Sequence, residues 1–73
     1  MFTKLTDKIN RELLRNGTRI SRETSDATIT IGYTTGGYSV FEFDKKGELI
    51  DHHYSFHLNY AYNMFKRQCK KYL

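Results

Sequence analysis

The sequence predicts one small α+β domain in two layers: an N-terminal helix, a three- to four-stranded antiparallel meander and a C-terminal helix. Three observations lead there. Between Ala27 and Ser55 apolar residues recur at every second position, with a glycine-bearing turn at each of two bends; on both sides of that stretch the period changes to helical spacing; and no linker, repeat or low-complexity segment divides the chain. At 73 residues the chain is a single domain over 1–73. A domain this short buries only about 60% of its unfolded surface, so its core is small.

Residues Thr3 to Asn16 read as a helix, because Phe2, Leu5, Ile9 and Leu13 recur at spacings of three and four and Leu14 widens the stripe. Thr3 or Thr6 caps its start, and Asn16-Gly17 ends it. The opposite face carries Lys4, Lys8, Arg11 and Arg15. Paired at i, i+4 as Asp7/Arg11 and Lys8/Glu12, this is what an ordinary solvated face looks like; the functional alternative is a basic ridge for nucleic acid. Thr18 to Thr24 follows as a first strand with Ile20 its one apolar residue. That composition suits an edge, where the charges discourage pairing with another sheet.

In the meander, Ile29, Ile31 and Tyr33 alternate with Thr28, Thr30 and Gly32, and Phe41 and Phe43 alternate with Val40, Glu42 and Asp44. A three-residue loop, Thr35 to Gly37, sets Ile31 opposite Phe41 and Ile29 opposite Phe43, leaving Thr30 opposite Glu42. A two-residue loop at Gly36-Gly37 sets Ile31 against Glu42 and Ile29 against Asp44 and is rejected on the segregation of apolar from polar pairs. The second bend, Asp44-Lys45-Lys46-Gly47-Glu48, has the chemistry of a type I turn followed by a positive-φ residue, and leads to Leu49 facing Phe43.

From Ser55, an expected N-cap, to Leu73 the stripe Leu58, Ala61, Tyr62, Phe65, Cys69 and Tyr72 predicts the second helix. Its last turns hold Lys66, Arg67, Lys70 and Lys71. Cations at a helix C-terminus are favoured by its partial negative charge, although this cluster exceeds what one helix end needs.

These registers define two sheet faces. Ile29, Ile31, Tyr33, Phe41, Phe43 and Leu49 form the expected core face. Tyr38, Val40, Ile50, His52 and Tyr54 fall on the other, among Thr28, Thr30, Glu42 and Asp44. That mixture is too apolar for a plain solvated face and too polar for a second core. These residues are therefore the expected partner-binding surface, tyrosine being enriched where proteins meet.

Composition narrows the function classes. Aromatics are 15% of the chain without any tryptophan, and hydrophobic residues are 38%, which argues against disorder. The formal net charge of +4 suits nucleic acid or an acidic protein partner. Cys69 stands alone, which excludes an internal disulfide and favours a reducing, cytoplasmic setting. No run of apolar residues is long enough for a membrane span, and the first residues lack the apolar block of a secretion signal. No cofactor, metal or membrane partner is expected; a homodimer is compatible with the composition.

Chemistry-bearing residues are sparse. His53 and His57, four apart, match a zinc-binding helix only if His53 is helical, whereas it falls at a strand end. A ribonuclease-type toxin would use His52 or His53 with Arg19 or Arg22, but no motif fixes their geometry. Gly36-Gly37 lacks the strand-to-helix context of a phosphate loop, and Cys69 lies on a helix face bound for the core.

The layout of one helix, a three-stranded meander and a second helix resembles the double-stranded-RNA-binding domain and the HicA-type toxins. The lysine cluster that opens the last helix of the former is absent from Ser55 to Tyr62, as is the glycine-serine-histidine pattern of the latter. The likeness implies topology and no residue roles. In size and lack of catalytic motifs the chain is similar to small early proteins of bacteriophages, which implies an inhibitor that occupies a host protein or nucleoprotein complex. The expectation is thus a non-catalytic binding protein. Nucleic-acid binding through Lys4, Lys8, Arg11, Arg15, Lys66, Arg67, Lys70 and Lys71 is the alternative, and a ribonuclease-type toxin the third reading.

Overall fold

The computed structural model describes residues 2–72. Its elements run α1 (Lys4–Arg15), β1 (Ile20–Glu23), β2 (Ala27–Thr34), β3 (Gly37–Asp44), β4 (Leu49–Ser55) and α2 (Leu58–Lys70). The strands form one antiparallel sheet in the order β1-β2-β3-β4. Helix α2 touches β2, β3 and β4, while α1 touches α2, β1 and β2, so both helices cover the same face. The α+β class and the edge position of β1 are as the sequence predicts.

Helix α1 begins in a reciprocal cap: Thr3 Oγ1 accepts from the Thr6 N–H, and the Thr3 N–H donates to Thr6 Oγ1, each at 3.1 Å. It ends with the Thr18 N–H donating to the Leu13 carbonyl and the Gly17 N–H to that of Leu14, satisfying carbonyls the helix leaves free. The face it buries differs from the expected stripe. Leu14 is fully buried and Phe2 packs on the core, but Leu5, Ile9 and Leu13 are 68%, 49% and 38% exposed. The helix is turned by polar contacts. Asn10 Nδ2 donates to Tyr62 Oη at 3.0 Å, Tyr62 Oη donates to Asp7 Oδ1 at 2.7 Å, and Lys66 Nζ donates to Asp7 Oδ2 at 2.8 Å. Asp7 therefore pairs across to α2 rather than along α1 with Arg11, and Glu12 pairs with Arg15 at 3.1 Å rather than with Lys8.

Helix α2 uses the expected stripe: Ala61, Tyr62, Phe65 and Cys69 are buried, with Leu58 and Tyr72 packed on the core. Its N-cap is His57, without a side-chain cap bond, and not Ser55. Ser55 ends β4 instead and its Oγ accepts from the His57 N–H at 3.0 Å.

The first hairpin overturns the expected register. Thr34 pairs with Gly37, so the loop is the two residues Thr35-Gly36, and Ile31 faces Val40 while Ile29 faces Glu42. Thr35 and Gly36 have φ of 45° and 79°. Two positive values in succession mark a type I′ turn, whose twist matches that of the flanking strands. A one-residue slip exchanges the faces of a whole strand. Val40 and Glu42 thereby join Ala27, Ile29 and Ile31 under the helices, and Phe41 and Phe43 move to the uncovered side. The second bend follows expectation: Gly47 has φ 84°, its N–H donates to the Asp44 carbonyl at 3.0 Å, and Leu49 faces Phe43.

Burying Glu42 needs partners for its carboxylate, which is 2% exposed. Tyr72 Oη donates to Glu42 Oε2, and Lys71 Nζ lies 3.1 Å from Oε1, an ion pair too oblique to give Oε1 a hydrogen bond. Lys71 and Tyr72 thus seal the one carboxylate that, among the described residues, is buried in the core.

Candidate binding face

The sheet face without helices is built by alternate residues of four strands. The register sets Ser21 and Glu23 of β1, Thr28 and Thr30 of β2, Ser39, Phe41 and Phe43 of β3, and Leu49, His52 and Tyr54 of β4 on it. Along its centre Phe41 stacks on His52, with ring centroids 4.5 Å apart and planes 7° apart, and Phe43 lies 6.1 Å from Phe41. At the β4 end Tyr54 meets Phe56 edge to face at 5.4 Å. Phe56 is 72% exposed, and Leu49 and Ile50 at the β-bulge beside Glu42 and Phe43 are exposed too. The result is a near-continuous aromatic strip from Phe43 to Phe56.

Small residues let the strip lie flat. A Cβ at Gly37 would stand 2.6 Å from Tyr54 Oη and 2.7 Å from the Ser55 carbonyl, so only glycine admits the Tyr54 ring there. Tyr54 Oη donates to the Thr35 carbonyl at 2.8 Å, tying β4 to the first turn. On the β1 side Arg19 lies over Gly32 and donates to Thr30 Oγ1 at 3.4 Å. At the opposite end a groove of about 560 Å³ is lined by Thr24, Thr28, Phe43 and Lys45 among others.

Of the residues predicted for partner binding, His52 and Tyr54 stand on this face and Ile50 at its rim. Val40 is only 1% exposed and belongs to the core, and Tyr38 packs on the core beside Tyr33. The slip of the first hairpin removes both and supplies Phe41 and Phe43 in their place. Phe56, which the sequence reading assigned to the start of a helix, is the most exposed aromatic of the strip. Alternation of Tyr54 with Phe56 past the expected strand end was the signal for it.

The predicted basic residues lie in the other layer. Lys4, Lys8, Arg11 and Arg15 belong to α1, and Lys66, Arg67, Lys70 and Lys71 to α2 and its end. Several are already engaged: Lys66 with Asp7, Lys71 with Glu42, Arg15 with Glu12, and Arg11 over the Tyr62 ring at 5.7 Å. Among the described residues, Glu23 and Arg19 are the charges that β1 and its flank bring to the aromatic face, and Asp44 and Lys45 line the groove at its Phe43 end, so each sign is matched by the other.

His52 and His53 point to opposite faces. His53 Nε2 lies 3.1 Å from Asp51 Oδ2 and 3.0 Å from Gln68 Nε2, which donates to the same Asp51 oxygen at 2.8 Å. The Gln68 amide, the His52 N–H and His53 hold the Asp51 carboxyl below its usual range. Arg22 lies over the Phe2 ring, and Cys69 is buried, its thiol pushed up to about 11 by burial. Among the described residues no group of His, Cys, Asp and Glu is placed to hold a metal ion, and no helix is long and apolar enough to cross a membrane.

Comparison of the chain with protein-family models, with curated proteins and with solved structures finds no match.

Proposed function

We propose that this protein is a non-catalytic binding protein that acts by occupying the surface of a protein partner, using the open face of its sheet. The observation that carries the reading is the separation of aromatic from basic residues. Phe41, Phe43, His52, Tyr54 and Phe56 share the uncovered face, whereas the lysines and arginines of both helices lie behind it.

Aromatic rings on an open sheet also serve single-stranded nucleic acid, but there the rings stack bases while nearby cations hold phosphates. The strip has Arg19 beside it, balanced by Glu23, and Lys45 at its Phe43 end, balanced by Asp44. A charge-poor aromatic patch fits instead the centre of a protein interface, from which charged residues are depleted. Inhibition of a host protein or nucleoprotein complex by coverage of its surface is the mode of action consistent with this patch.

The test is capture from nuclease-treated lysate with the wild type, with a His52→Asp/Phe56→Ser variant, and with a Lys8→Ser/Lys70→Ser variant as control. All four positions are exposed, so the fold is retained. A stoichiometric protein held by the wild type and the control but lost by the aromatic variant supports the reading. Salt-sensitive binding of RNA or DNA, abolished by the lysine variant alone, refutes it in favour of nucleic acid.

A further inference from the structure

From the free edge of β1 we infer that the protein pairs with a second copy of itself, strand β1 against strand β1, about a two-fold axis at Ser21.

The argument begins with which backbone groups face outward. The Thr24 N–H donates to the Ala27 carbonyl at 2.8 Å, so Thr24 and, by alternation, Arg22 and Ile20 direct their backbone groups toward β2. Arg19, Ser21 and Glu23 direct theirs away from the sheet. An antiparallel partner must therefore align these residues with one another. Centring the pairing on Ser21 sets Arg19 of each copy opposite Glu23 of the other, on the same sheet face, at both ends of the seam. Centring on Arg22 opposes two guanidinium groups, and centring on Ile20 leaves Glu23 opposite Gly17, which has no side chain. Charge complementarity selects the Ser21 register, and the charges that guard this edge against foreign strands favour an identical one.

The helical layer agrees. Asp7 and Arg11 of α1 face Tyr62 and Lys66 of α2, while Thr6 and Asn10 line a groove with Ile20 and Arg22 of β1. At about 100° per residue, Leu13, Ile9 and Leu5 continue round the helix from that groove, on the β1 side and outward. They form an apolar ridge that nothing in the fold covers. Because α1 rests over β1 and β2, strands spaced about 4.8 Å apart put the two α1 axes about 10 Å apart across the axis, which is a packing distance for helices. The pairing is isologous, and it joins two four-stranded sheets into one with both aromatic strips on the same side.

The test is a charge swap followed by sedimentation equilibrium and native mass spectrometry in low-salt buffer, with circular dichroism confirming the fold. The wild type is expected to dimerise reversibly. Arg19→Glu alone and Glu23→Arg alone weaken the dimer by about tenfold or more, and an equimolar mixture of the two forms a heterodimer, because both seams become Glu-Arg again. Ser21→Cys, at an exposed position that does not bear on folding, is expected to form a disulfide-linked dimer on mild oxidation. Paired residues there lie about 5.5 Å apart, within disulfide reach, and buried Cys69 does not compete. A wild type that stays monomeric near millimolar concentration, single variants that dimerise unchanged, a mixture without heterodimer, or Ser21→Cys that remains monomeric overturns the inference. None of these outcomes bears on the proposed role of the aromatic face.

Discussion

Replacing Thr35 by asparagine should stabilise the protein, and the reason reaches from one dihedral angle to the identity of the binding face. Thr35 occupies the first central position of the hairpin turn with φ 45°. A β-branched side chain in left-handed backbone crowds its own carbonyl, at a cost of about 1–2 kcal/mol. Asparagine tolerates that conformation, and Asn-Gly is the preferred pair for a type I′ turn. Little is lost in exchange. The Thr35 hydroxyl makes one exposed contact, 3.5 Å from that of Thr34, and the bond from Tyr54 Oη goes to the backbone carbonyl, which asparagine keeps. A gain of about 1 kcal/mol raises the Tm of a domain this size by about 4–8 °C. Thermal melts by circular dichroism, with Thr34→Asn as control, measure it. An unchanged or lowered Tm would mean that the loop is not this turn. The register would then slip by one and return Phe41 and Phe43 to the helices, dissolving the proposed face.

Other expectations follow from named contacts. Tyr62→Phe strips Asn10 and Asp7 of the hydroxyl that joins them, and should cost about 1–3 kcal/mol in urea unfolding; adding Asn10→Leu should recover part of that loss. Gly37→Ala drives a Cβ against the Ser55 carbonyl as well as Tyr54, so strands β3 and β4 must part, and a loss of about 1–3 kcal/mol is expected by the same assay. Stability should also fall on the alkaline side. Burial pushes the Cys69 thiol from 9.0 up to about 11, and burial with the Asp7 carboxylate pushes Tyr62 from 10.0 up to about 12. Both folded values lie above the unfolded ones, so their contribution is complete below pH 9.0 and is lost as pH rises toward 11 and beyond. Urea midpoints that stay constant over that window would contradict the burial of these groups.

How far the sequence reveals this structure depends on which physical signal each element carries. Helix α2 is legible because Ala61, Tyr62, Phe65 and Cys69 leave it one apolar face. The turn at Gly47 is legible because glycine follows Asp44 at the spacing a type I turn needs. The first hairpin is not, for two reasons. A threonine with positive φ gives no warning in the sequence, and Val40-Phe41-Glu42-Phe43 is apolar on both faces but for Glu42. Placing that carboxylate in water is the sound choice for an isolated sheet. It fails because Lys71 and Tyr72, three decades of residues downstream in sequence terms, return to receive it. The stripe of α1 fails similarly. Asn10 and Asp7 look like solvent residues until Tyr62 and Lys66 meet them, and only then are Leu5, Ile9 and Leu13 left outside. Consequently the sequence sets His52 and Tyr54 on the open face of the sheet but assigns Phe41 and Phe43, which lie at its centre, to the core.

The most direct measurement of the proposed role is the ratio of partner captured by the His52→Asp/Phe56→Ser protein to that captured by the Lys8→Ser/Lys70→Ser protein, each against the wild type in nuclease-treated lysate. Binding through the open sheet face requires loss of a stoichiometric protein with the first variant and its retention with the second. Retention with the first and loss with the second would place the function on the helices instead.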